Sequence, residues 1–94
     1  MSKPYMISYD LSEPGQKYED VFDAIKSFGS YINLQKSFWL VRSNLTPNQM
    51  SNKLENVIDE NDSLFICELV DNYAGQADVG EKEREFIKKE IFKN

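Results

Sequence analysis

A chain of 94 residues with 40% hydrophobic and 13% aromatic content makes one small domain, and is too apolar to stay disordered. Its 11 Lys and Arg against 16 Asp and Glu leave a net charge of −5, an acidic balance that opposes tight binding to a phosphate backbone. With no histidine and the single cysteine Cys67, every His-containing zinc site, Cys-cluster metal site and intrachain disulfide is excluded.

The first element is a strand, Pro4 to Leu11, in which Tyr5, Ile7, Tyr9 and Leu11 alternate with Met6, Ser8 and Asp10. The first set belongs beneath helices, and the second is mixed and ends in a carboxylate. Pro14-Gly15 marks the following turn. From Tyr18 the period changes: Tyr18, Val21, Phe22, Ile25 and Phe28 form one helical stripe, with Gly29 as its expected stop.

Two β-like runs follow, Ser30 to Leu34 and Ser37 to Arg42, with Gln35-Lys36 as the expected hairpin turn. Thr46-Pro47-Asn48-Gln49 reads as an N-cap, a first-turn proline and a capping box, opening a helix with Met50, Leu54, Val57 and Ile58 on its apolar side. Ser63 to Val70 is the next strand. Residues 71–80 read as a loop. Glu81 to Phe92 is a charged helix with Phe86, Ile87 and Ile91 on one side, and its alternating charges suit a solvated face.

The order β-α-β-β-α-β predicts an α+β, ferredoxin-like sandwich over residues 1–70, with a four-stranded antiparallel sheet. Both crossover helices lie on one face and the other face is expected to be open. Residues 81–94 add a C-terminal helix, packed on this domain or on a dimer partner. An open face carrying Met6 and Trp39 would be too apolar for water and would require a covering partner. Cys67, in mid-strand, is expected to be buried and inert.

In this topology the strands lie in the order fourth, first, third, second. Asp10 then comes near Ser37, Asp62 and Ser63, while Glu68 lies at the opposite end. Such an acidic corner suits a hard cation such as magnesium, which takes one or two carboxylates and keeps several waters. A metal of this kind activates water for phosphodiester cleavage without histidine. The ordinary role of a strand-terminal Asp is different: it caps the following turn through its side-chain oxygen.

Ile7-Ser8-Tyr9-Asp10-Leu11, a helix ending Phe28-Gly29, then Gln35-Lys36-Ser37-Phe38-Trp39 and Asn61 to Leu69 resemble, in order and spacing, the CRISPR-associated protein two superfamily. The likeness covers about residues 5 to 70 and is strongest to the stand-alone SinR-like branch; virulence-associated protein D is more distantly similar. The resemblance implies a homodimer in which the first-strand aspartates of two subunits face a shared cleft. It implies Asp10 as the metal-binding catalytic acid, Ser37 as the serine of the glutamine-serine-aromatic motif, Trp39 as its aromatic, and Mg2+ or Mn2+ as the cofactor. The activity implied is that of a metal-dependent nuclease, an endoribonuclease acting on RNA, or a structural DNA-holding role.

The chain departs from that pattern in its charge. Where such proteins often carry a basic run, this one reads Ser12 to Asp20 with one Lys among three acids. Residues 1–80 hold 6 basic and 12 acidic side chains. Phosphate binding would need Lys17, Lys36 and Arg42 to gather in the cleft. The sequence thus supports two expectations: a homodimeric metal-dependent nuclease acting through Asp10 and Ser37, or a catalytically inactive dimeric module that binds a protein or a small nucleotide. Nothing in it marks a membrane span or a leader, so the expected location is the cytoplasm.

Overall fold

The structure, a computed structural model, describes residues 2–11, 18–70 and 80–93. Four strands, β1 (Lys3–Asp10), β2 (Gly29–Gln35), β3 (Phe38–Ser43) and β4 (Ser63–Glu68), form one antiparallel sheet in the order β2-β3-β1-β4. Helices α1 (Tyr18–Lys26) and α2 (Pro47–Glu55) make the two crossovers. The ferredoxin-like α+β architecture expected from the residue pattern is therefore present. Among the described residues no helix is long and apolar enough to cross a membrane.

The two-residue period of β1 decides its faces. Tyr5, Ile7 and Tyr9 are buried with Val21 and Ile25 of α1 and Met50 and Leu54 of α2. Full burial of each such side chain stabilises the fold by about 1.5–3 kcal/mol. Trp39, expected on the open face, belongs to this helix-covered core instead and is 2% exposed. Its neighbours in β3 explain why: Val41 shares its parity and its core, while Leu40 lies in the second cluster.

Local chemistry sets the element ends. Thr46 Oγ1 accepts from the Gln49 N–H at 3.2 Å and Gln49 Oε1 accepts from the Thr46 N–H at 2.9 Å, completing the expected capping box. The hairpin is present with its turn one residue later than expected, at Lys36-Ser37. Asn33 Nδ2 donates to the carbonyls of Gln35 (2.6 Å) and Phe38 (3.1 Å), holding a bulge between Asn33 and Gln35. Gly29 opens β2 rather than capping α1. Its φ of +153° and its close approach to the Arg42 carbonyl leave no room for a side chain.

The second sheet face is only half open, which corrects the expectation of a bare surface. The C-terminal helix, α3 (Glu81–Phe86), runs on into a π-helical turn over Ile87–Ile91, closed by the Phe92 N–H donating to the Ile87 carbonyl at 3.0 Å. That turn brings Ile87, Ile91 and Phe92 against Leu40, with Met6, Ile32, Leu34 and Phe38 around them. The helix thus packs on its own domain, over the β2–β3 side. Met6 finds its cover within the same chain, so it no longer calls for a second subunit.

Candidate functional site

Tyr9, Asp10, Lys36, Ser37 and Trp39, five of the residues that carry the resemblance, lie together at one end of the sheet. Tyr9, buried beneath α1, donates from its hydroxyl to the Lys36 carbonyl at 3.3 Å and accepts from Trp39 Nε1 at 3.1 Å. Its backbone N–H donates to the Ser37 carbonyl at 3.1 Å. Burial raises the Tyr9 pKa above the ordinary 10.0, opposed by the Trp39 hydrogen bond and assisted by Tyr18. The phenol therefore stays protonated and remains a donor. Tyr18, Phe22 and Trp39 continue the aromatic row, with Phe22–Trp39 centroids 5.2 Å apart. This is a rigid structural lock between the end of β1 and the hairpin turn. The Tyr9 and Trp39 of the motif serve packing.

Asp10 lies one residue beyond the lock. By strand parity it projects from the second face, and it is exposed. Ser63 is its partner in the register with β4. The other members of the expected corner lie one residue away along the chain, Asp62 before Ser63 and Ser37 opposite Tyr9. The hairpin register sets Ser37 beside Tyr9, in the turn rather than in β3, and its carbonyl is engaged there. The Asp62 carboxylate accepts from the Asp59 N–H at 2.8 Å, the turn-capping role. Among the described residues no three His, Cys, Asp or Glu side chains gather as a metal site.

The cations do not gather either. Arg42 is spent on the fold: Nη1 donates to the Ile91 carbonyl (2.8 Å), and Nε and Nη2 donate to Ser2 Oγ (2.9 Å) and the Ser2 carbonyl (3.0 Å). Lys36 Nζ stands over the Tyr18 ring, 5.2 Å from its centroid. Lys17 lies outside the described residues. A surface depression of about 470 Å³ near the start of β4 is lined by Glu55, Asp59, Glu60 and Asp62, charges that repel a polyanion.

What the sequence reading missed is how exposed one face of β4 is. Cys67, expected to be buried, is exposed, and Phe65 is 66% exposed in the middle of a strand. The physical reason is position: β4 is the sheet's edge, and its odd residues face the half that the C-terminal helix leaves bare. The strand order and the alternation of Ser63, Phe65 and Cys67 together contained that signal.

No family model matches the chain, and no curated protein matches it. Among solved structures, a hypothetical protein, TT1823, from Thermus thermophilus is similar, with a TM-score of 0.62 and 16% identity. The match covers 84% of this chain and 98% of that one. At this identity the likeness speaks to the fold alone.

Proposed function

We propose that this protein is a dimeric interaction module that works without catalysis, through the open half of its second sheet face. The observation that carries this reading is Phe65, two-thirds exposed in mid-strand beside Ser8 and Cys67. A large aromatic held out on a rigid strand suits burial in a partner. The engagement of Arg42 inside the fold and the acidic depression by β4 weigh against a polyanion as that partner. In a reducing cytoplasm the exposed Cys67 stays a thiol.

A second reading keeps the nuclease implied by the resemblance. It is favoured by Asp10, exposed at the end of the bare half and backed by the Tyr9–Trp39 lock. Its metal would need the Asp10 of two copies. The test is incubation with labelled RNA and DNA in Mg2+ or Mn2+, comparing wild type with Asp10→Ala. The module reading expects no difference between the two proteins. Metal-dependent cleavage that is lost in Asp10→Ala overturns it in favour of the nuclease.

A further inference from the structure

The two edges of the sheet are unlike. β2, at one edge, is broken by its bulge between Asn33 and Gln35. β4, at the other, has no bulge in its register with β1, and Ser63 to Cys67 contain neither proline nor charge. Bulges, lysines and prolines are the usual devices that keep an edge from pairing, and β4 has none of them over these residues. Among the described residues no element pairs with its outer side.

The backbone bonds fix which groups point outward. The Leu69 N–H donates to the Pro4 carbonyl, so odd-numbered residues of this stretch turn their N–H and C=O toward β1. Leu64, Ile66 and Glu68 therefore direct theirs outward, three donors and three acceptors in a row. We infer that two copies of this chain join by antiparallel pairing of β4 with β4, centred on Ile66, into one continuous eight-stranded sheet. This rests on the dimeric reading above and names its interface.

The register follows from parity and charge. An antiparallel pair that continues the sheet keeps odd residues opposite odd ones, so the centre falls on a residue. Centred on Ile66, each Leu64 meets Glu68 of the second copy, and all six outward groups of each strand are paired. Phe65 stands opposite Cys67 of the second copy, twice over, a contact of aromatic ring and sulfur. Centring on Phe65 would set Glu68 against Asp62, acid on acid. Centring on Cys67 would leave Leu64 beyond the end of the partner's β4. The self-complementarity of the Ile66 register is what selects a second copy as the occupant.

One consequence bears on chemistry. In this arrangement Asp10 of one copy lies in line with Pro4 of the other, so the two Asp10 side chains stand more than about 20 Å apart. They cannot share a metal.

The experiment combines a sedimentation series on the whole chain with a cross-linking register test. Wild type is expected to dimerise with rising concentration and to form no covalent dimer under mild oxidation, because the two Cys67 sit diagonally, about 7–8 Å apart. Phe65→Cys places a thiol directly opposite Cys67 of the second copy, about 4.5 Å between Cα atoms, and is expected to give a covalent dimer. Adding Cys67→Ser to that variant is expected to abolish it. Glu68→Pro removes an outward donor without touching a backbone hydrogen bond to β1, at the cost of the exposed Lys3–Glu68 ion pair (3.8 Å), and is expected to weaken dimerisation about tenfold or more while the circular dichroism is unchanged. A wild type that stays monomeric at its highest attainable concentration overturns the dimeric reading and the inference with it. A dimer that Phe65→Cys fails to lock, or a wild type that cross-links through Cys67 alone, overturns the β4 register and leaves the dimeric reading standing.

Discussion

The two halves of the second sheet face are built from the same four strands and have opposite fates. The β2–β3 half presents Ile32, Leu34, Phe38 and Leu40 and is covered by Ile87, Ile91 and Phe92. The β1–β4 half presents Ser8, Asp10, Ser63, Phe65 and Cys67 and has no such cover among the described residues; Asp10, Ser63, Phe65 and Cys67 are exposed. The difference lies in the helix: its short apolar stripe can cover one pair of strands, and the more apolar pair receives it. Arg42 then ties it down through the Ile91 carbonyl. Cohesion is concentrated on one half, and the described residues of the other stay more exposed.

The largest test of that contrast is Ile91→Ala. Ile91 is 0% exposed, and its truncation should cost about 3 kcal/mol in urea unfolding. Arg42→Ala should cost about 2 kcal/mol, since it leaves the Ile91 carbonyl without its charged donor, and amide exchange in residues 87–92 should quicken. Tyr9→Phe removes the acceptor of Trp39 Nε1 and the donor to Lys36 and should cost about 1 kcal/mol. It also changes the alkaline limb. The folded Tyr9 pKa is raised, so its contribution is complete below 10.0, the unfolded value, and is lost as pH rises through the folded one. Wild type should therefore lose stability above pH 10.0 more steeply than Tyr9→Phe in a denaturation series. On the open half, Cys67→Ser should change monomer stability by less than about 0.5 kcal/mol.

Much of the fold was legible in the residues because local signals and tertiary packing agree. Thr46 to Gln49 announced α2, and the alternation of Tyr5, Ile7 and Tyr9 announced the buried face of β1. Trp39 was misplaced because Phe38, Trp39 and Leu40 are all large and apolar, so alternation could not say which faces the helices. Cys67 was misplaced because burial in a strand depends on what lies above it, and only the reach of the C-terminal helix decides that. The corner around Asp10 was legible in its backbone placement and not in its side-chain partners. Strand order brought Ser63 to it, but Asp62 found a partner three residues away in its own turn, a competition that spacing does not reveal.

The most direct measurement of the central claim is amide hydrogen exchange across β4 at low and high protein concentration. The account predicts that the outward N–H groups of Leu64, Ile66 and Glu68 exchange quickly when the protein is dilute and become protected as it is concentrated, while those of Phe65 and Cys67, bonded to β1, change little. Equal exchange of Leu64, Ile66 and Glu68 at both concentrations, in a sample that sediments as a dimer, would contradict it.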